Sequence, residues 1–221
     1  MRFSRNMKKI NMSKTAEISD LALSLKEQGH KIVNMATGEL SFKPALSIRK
    51  EACRTINKGE TLYTEVAGRK ELRDLISVKL KKDLKIEYKC DEIIVSNGGK
   101  QVIYNALQST INRGDEVIII SPYWVSYPEI IKLCGGKPKV LNTTRKEGFS
   151  INTEKLEKLI TSKTKWIILN SPNNPRGVVY STDIIKKLVL VLRKYPDIWI
   201  LSDEIYEKLN FETERNLSIL H

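Results

Sequence analysis

The chain has 221 residues, 41% apolar and 29% charged, with 38 Lys and Arg against 26 Asp and Glu for a net charge of +12. That is enough for one large domain or one and a half, and no apolar run nears the roughly 20 residues of a membrane span. The lysines are scattered, with groups at Lys79, Lys81, Lys82 and Lys85, at Lys155 and Lys158, and at Lys186 and Lys187, and no aromatic residues interleave them. The basicity therefore reads as a solvated surface rather than a nucleic-acid footprint.

The N-terminus is basic and has no apolar stretch behind it, so it is not a secretory signal; an organelle address stays open beside the plainer cytoplasmic reading. Residues 13–28 carry Ile18, Leu21, Ala22 and Leu25 at helical spacing, and Gly29 ends them. Residues 32–35 read as a short strand leading to Gly38, where a glycine permits close backbone approach to a ligand or simply a turn. Pro44 opens a helix reaching Asn57, with Ile48, Ala52 and Ile56 on one face and Gly59 as its stop. The loop after it holds Tyr63, either a packed phenol or a ligand contact. Another helix starts at Gly68 with Leu72, Leu75, Ile76 and Leu80 apolar.

Residues 91–96 read as a strand, which Asn97-Gly98-Gly99-Lys100-Gln101 turns into a helix over 101–112. Two glycines between strand and helix leave backbone N–H groups bare at a helix N-terminus, a ready site for an anion. The turn is neither the dinucleotide fingerprint nor the P-loop, so it suits a single phosphate, with a mere tight turn as the alternative. Strand 116–120 follows, and Trp124 stands just past its carboxyl end, either to stack on a heteroaromatic ring or to fill the core. Helix 126–134, strand 138–142, helix 153–161 capped by Thr153, strand 166–169, helix 182–194 and strand 198–201 complete a β-α-β-α alternation. The alternation predicts an α/β fold, a mostly parallel sheet with helices on both faces.

The last two apolar runs are each followed by polar residues that packing does not require. After the first come Asn173, Asn174, Pro175 and Gly177; after the second come Asp203 and Tyr206. Ligands of open parallel sheets bind at the carboxyl ends of strands, so Asn174, Asp203 and Tyr206 are placed to meet over one ligand. A carboxylate at the end of a buried strand keeps its charge only beside a cation. A protonated pyridine nitrogen would supply one, and an amide with a phenol suits a phenolate oxygen on the same ring. That combination describes pyridoxal phosphate (PLP). The plainer alternative is that Asn-Pro-x-Gly is only a turn and Asp-Glu only a helix start. Cys53, Cys90 and Cys134 match no metal or disulfide spacing, and with two histidines, His30 and His221, a zinc site is not expected.

These pieces resemble the class I aminotransferases of PLP fold type I, of the kind found among bacterial aspartate/prephenate aminotransferases. The markers are Gly38-Glu39, Tyr63-Thr64 with Gly68 and Glu71-Leu72-Arg73, Gly98-Gly99-Lys100-Gln101, Gly114-Asp115-Glu116-Val117, Pro122-Tyr-Trp-Val-Ser-Tyr-Pro128, Asn170-Ser-Pro-Asn-Asn-Pro175 and Ser202-Asp-Glu-Ile-Tyr-Glu207. The resemblance implies an N-terminal segment, 1–45, for small-domain and dimer contacts, and a partial PLP-binding large domain, 46–221. It implies that Gly99 and Lys100 hold the cofactor phosphate, Trp124 lies on the pyridine ring, Asp203 pairs with its nitrogen, and Asn174 and Tyr206 bond its oxygen. Tyr63 would reach the phosphate of a neighbouring subunit in a homodimer. Gly38, with Trp124 and Asn174, would meet the substrate, an amino acid or a 2-oxo acid.

The chain also departs from the pattern. Leu40 and Ser41 replace the usual Pro and Asp, and Arg176 replaces a Thr, bringing a bulky charge near the expected site. Family members are nearly twice as long, and no residue after Tyr206 fits the lysine that forms the Schiff base; Lys208 is too close and in the wrong setting. No catalytic residue is therefore assigned, and the chain alone is expected to be inactive or nearly so, with an unpaired sheet edge and poor solubility. The alternatives are a non-catalytic remnant, one half of a split PLP enzyme, or a PLP lyase or synthase.

Overall fold

The computed structural model describes residues 4–36, 38, 40, 42–209, 211 and 218–220; Glu39, Ser41 and His221, singled out above, lie outside them. The helices are α1 (Lys14–Glu27), α2 (Leu46–Asn57), α3 (Lys70–Leu84), α4 (Gly98–Thr110), α5 (Ser126–Leu133), α6 (Thr153–Leu159) and α7 (Thr182–Leu192). The strands are β1 (Glu116–Ser121), β2 (Lys137–Asn142), β3 (Thr164–Asn170) and β4 (Trp199–Asp203). The chain divides into two compact units. One comprises residues 1–11, 77–88 and 96–221; the other comprises 12–76 and 89–95.

The first unit is built on one parallel sheet in the order β2-β1-β3-β4. Alternate side chains of the central strands face opposite ways. Val117, Ile119, Trp166 and Ile168 pack with Ile103 and Leu107 of α4 and with Tyr127, Ile130 and Ile131 of α5. Ile118, Ile120, Ile167 and Leu169 pack with Leu156 of α6 and with Ile185, Leu188 and Leu192 of α7. Both faces of β1 and β3 are thus covered, which is why each strand reads as an unbroken apolar run rather than an alternating one. Each fully buried Ile, Leu or Val contributes about 1.5–3 kcal/mol. The sheet's edges are β2 and β4, and among the described residues neither pairs with a further strand. Trp199 on β4 stacks on Trp166 at 5.3 Å but stays half-exposed.

In the second unit, α1 is capped by the Ser13 side chain, which accepts the Ala16 N–H. Arg73 is the hub. Its guanidinium donates to the Gly68 carbonyl at 2.9 Å and the Cys90 carbonyl at 3.0 Å and pairs with the Glu65 carboxylate, and only 11% of the side chain is exposed. Gly68 has φ +96°, and a Cβ there would stand 2.8 Å from Cβ of Val95, so the backbone passes where only glycine fits. The apolar stripes of these helices are mostly bare: Ile18, Leu21, Ile48, Ile56, Leu72 and Leu75 are all exposed, while Ala22 and Ile93 are buried.

Several expectations are corrected. Residues 32–35 and 91–96 are not strands, because no partner strand exists for them among the described residues. The second stretch instead opens with a 3-10 turn over Cys90–Glu92, closed by the Glu92 carboxylate accepting the Lys89 N–H, and ties back by Val95 N–H to the Ala67 carbonyl. The cap of α6 is Asn152, which accepts the Lys155 N–H, whereas Thr153 is already helical. Helix α4 begins at Gly98 rather than 101, so the glycine pair belongs to its first turn.

Candidate active site

The sheet itself decides where a ligand can enter. The chain leaves β1 for β2 on one side and returns to the other side of β1 as β3, so the connections diverge at the carboxyl ends of β1 and β3, the place where parallel sheets open a crevice. A cavity of about 280 Å3 opens here. Its wall comes from the start of α4 (Asn97 to Lys100, and Ile103), from Trp124 and Tyr127 beyond β1, from Asn170 and Asn174 at the end of β3, and from Asp203, Ile205 and Tyr206 at the end of β4. All belong to the sheet-based unit. A volume at the lower edge of the ligand-pocket range suits a small ligand.

Six of the residues singled out from the sequence, Gly99, Lys100, Trp124, Asn174, Asp203 and Tyr206, therefore share one cavity. Tyr63 and Gly38 belong to the other unit, where both are exposed. Arg176 is absent from the cavity wall. Its guanidinium lies over the Phe149 ring, 4.8 Å from the centroid, so the charge expected near the site is turned onto an aromatic neighbour instead.

Asp203 is the last residue of β4, opposite Asn170 in the register. Its Oδ2 accepts the Tyr127 hydroxyl at 2.5 Å and its Oδ1 accepts the Ile205 N–H at 3.3 Å. Tyr127 is only 2% exposed. Burial, and then the Asp203 charge, push its phenol far above the ordinary range, so it remains a donor and fixes one carboxylate oxygen. Asn170 is 5% exposed and works in two directions. Its Nδ2 donates to the Asp203 carbonyl at 2.9 Å, and its Oδ1 accepts the Asn174 N–H at 2.8 Å. One buried amide thus ties the turn after β3 to the end of β4. That turn presents the Asn174 amide, whose Nδ2 donates to the Tyr206 hydroxyl oxygen at 3.2 Å.

Opposite chemistry gathers at the start of α4. Gly98 has φ +80°, a conformation that lets the chain enter the helix directly from Asn97. The Asn97 side chain does not cap the helix, and its own N–H donates to Gln101 Oε1 at 2.7 Å. The first-turn N–H groups of Gly99 and Lys100 have no acceptor in a preceding turn and form a site for an anion. Lys100 Nζ adds positive charge, 5.2 Å from the Trp124 ring centroid. Trp124 in turn meets Tyr127 edge-on at 5.4 Å. The cavity therefore offers an anion-binding helix start, a fixed carboxylate, an amide–phenol pair and an indole. That donor set fits a phosphorylated, cationic heteroaromatic ring.

Tyr127 and Asn170 are wall residues to which the sequence assigned no role, although both lie within segments that carry the resemblance. Tyr127 is masked by a helical pattern in which it is simply apolar. Asn170 had a signal, a lone amide closing a run of buried strand residues, where an unsatisfied polar group would be costly. Among the described residues no group of three or more His, Cys, Asp or Glu could hold a metal, and no helix is long and apolar enough to cross a membrane.

A model of the aminotransferase class I and II family matches residues 30–220. A probable aspartate/prephenate aminotransferase of Rhizobium leguminosarum bv. phaseoli is 43% identical over 93% of this chain and 51% of its own length. The aspartate/prephenate aminotransferase of Nitrosomonas europaea is 41% identical over the whole chain and 56% of its own length. Among solved structures, the aspartate aminotransferase of Rhizobium meliloti superposes with a TM-score of 0.95 at 34% identity, covering 100% of this chain and 56% of that one. The Thermus thermophilus aspartate aminotransferase with maleate gives 0.93 at 37%, covering 97% and 56%. The chain thus spans about half the length of the curated relatives it matches. With the match running through every segment that builds the cavity, the chain belongs to the family of class I and II aminotransferases.

Proposed function

We propose that the cavity binds pyridoxal phosphate and serves transfer of an amino group between an aspartate-like amino acid and a 2-oxo acid, in the cytoplasm and in a homodimer. The observation that carries this reading is the sharing of one small cavity by the Asp203 carboxylate and the bare N–H groups at the start of α4. Bound there, PLP would supply an electron sink for the substrate's alpha carbon. Gly99 and Lys100 hold the phosphate through backbone N–H groups. Asp203, oriented by Tyr127, keeps the proton on the ring nitrogen. Asn174 and Tyr206 bond the ring oxygen, and Trp124 covers the ring and keeps water off it. Gly38 and Asn174 meet the substrate carboxylate, and Tyr63 reaches across to the phosphate of a partner subunit. Residues 1–45 then serve small-domain and dimer contacts, and 46–221 form part of the cofactor-binding domain.

Among the described residues Lys100 is the only lysine in the cavity wall, and its ammonium lies against Trp124. The 221-residue chain is therefore expected to hold PLP without a covalent link to the cavity wall, and borohydride should trap no stoichiometric adduct on Lys100. The decisive experiment is a PLP titration followed by quenching of tryptophan fluorescence, repeated with Asp203→Ala. Removing one partner of a desolvated charge pair removes about 2–5 kcal/mol, so the affinity should fall at least about thirtyfold. Saturable binding that ignores Asp203→Ala would sink the assignment.

A further inference from the structure

The turn that carries Tyr206 is gripped by charge from outside the cavity. Lys79 Nζ donates to Glu207 Oε1 at 2.7 Å, and Lys208 Nζ donates to Asp83 Oδ2 at 3.1 Å. Lys79 also lies 3.3 Å from Asp83, so the four groups form one alternating chain from the second half of α3 to residues 207 and 208. Lys79 and Asp83 are four residues apart and share one face of the helix. The Asp83 side chain is only 17% exposed, while its two ammonium partners, Lys79 and Lys208, are 46% and 69% exposed. The Lys208 ammonium holds the Asp83 carboxyl below its ordinary range, and the Glu207 carboxylate holds Lys79 above its own.

The gripped segment is tight. Glu207 N–H donates to the Glu204 carbonyl at 2.9 Å and Leu209 N–H to the Tyr206 carbonyl at 2.8 Å. A pull on residues 207 and 208 is therefore passed to Tyr206 by the backbone. None of the four charged residues lines the cavity, whereas Tyr206 does, with its hydroxyl against Asn174.

We propose that Lys79, Asp83, Glu207 and Lys208 are positioning residues, an ion-pair chain from α3 that sets where the Tyr206 hydroxyl stands in the cavity. The effect on ligand binding rests on the cofactor reading above; the effect on Tyr206 does not. The same pairing also occupies Lys208 with Asp83, outside the cavity wall.

The test is a double-mutant cycle on the whole chain, with Asp83→Asn, Tyr206→Phe and both together, read in two ways. The first is the affinity for PLP. Breaking a partly buried pair of links is expected to weaken it about fivefold in the wild-type background and less than twofold in the Tyr206→Phe background. Asp83→Glu, which keeps the carboxylate, should recover most of the loss. The second readout needs no cofactor: the Tyr206 ring resonance in 13C-tyrosine-labelled protein, assigned by its loss in Tyr206→Phe, should shift in Asp83→Asn. An equal loss of affinity in both backgrounds, or a Tyr206 resonance that stays put, overturns the proposal. Should the wild-type chain bind no PLP, the cofactor reading falls, and the resonance still decides the positioning claim.

Discussion

Ile118 and Ile18 are the same residue in equally regular elements, yet the first is 0% exposed and the second 53%. The contrast runs through both units. In the sheet-based unit every apolar position of β1 and β3 has a helix over it, α4 and α5 on one face and α6 and α7 on the other. In the helical unit the stripes of α1, α2 and α3 form with the right spacing and stay largely bare. Periodicity specifies a helix and the face it would bury, but burial needs a second surface. The cavity lies wholly in the unit where that surface is present. A carboxylate and a phenol can be held at fixed distance only where packing leaves them no other rotamer.

The largest effect that would test this contrast is in the core. Leu107 is 0% exposed between α4 and the sheet, and Leu107→Ala should lower stability by about 2–5 kcal/mol in urea titration. A loss below about 1 kcal/mol would mean the core is looser than its burial implies. Next comes alkali. Burial pushes the Tyr180 phenol up to about 12, and Tyr127 is raised further. The unfolded phenols ionise near pH 10, so the stabilisation is complete below that pH and is lost as pH climbs through about 12, by about 2–3 kcal/mol for Tyr180 alone. Ultraviolet titration should show the Tyr127 and Tyr180 phenols still un-ionised at pH 11, and stability falling between pH 10 and 12.

Arg73 tests the helical unit from the opposite side. With little apolar burial of its own, that unit leans on the guanidinium bonded to Gly68, Cys90 and Glu65. Arg73→Ala should destabilise the unit by about 1.5–3 kcal/mol, and Arg73→Lys should recover little, because an ammonium cannot span the same acceptors. Hydrogen exchange at residues 65–76 should report the loss while β1 and β3 stay protected. At the site, Tyr127→Phe removes the donor to Asp203 Oδ2 and should weaken PLP binding by roughly three- to tenfold, the value of one hydrogen bond. An unchanged affinity would mean that Asp203 needs no help to keep its orientation.

These residues also mark how far the sequence could be read. Asp203, Tyr206, Asn174 and Trp124 stood out because each follows a buried strand without a packing reason to be there. The anion corner stood out because paired glycines open a helix. Tyr127 did not, since a phenol on the inner face of α5 scores as core and its hydroxyl partner is 76 positions away. The strands expected at 32–35 and 91–96 failed for a related reason: composition favours extension, but a strand exists only beside another. Gly38 and Tyr63 were legible only as a turn or a close backbone approach and as a packed phenol or a ligand contact, and both are exposed in the helical unit.

The smallest expected effect is the sharpest probe of the contrast. Leu21 is 59% exposed and Leu75 is 67% exposed, although both sit on the apolar stripes of their helices. A side chain that is already in water loses no burial when it is replaced, so Leu21→Ser and Leu75→Ser should each change stability by no more than about 0.5 kcal/mol, the range for ordinary surface positions. The chain should also become more soluble, since each change removes part of a continuous apolar face. If either substitution instead destabilised the chain by about 2 kcal/mol, the stripe would have to be covered in solution, and the two units would differ in what covers them rather than in whether they are covered.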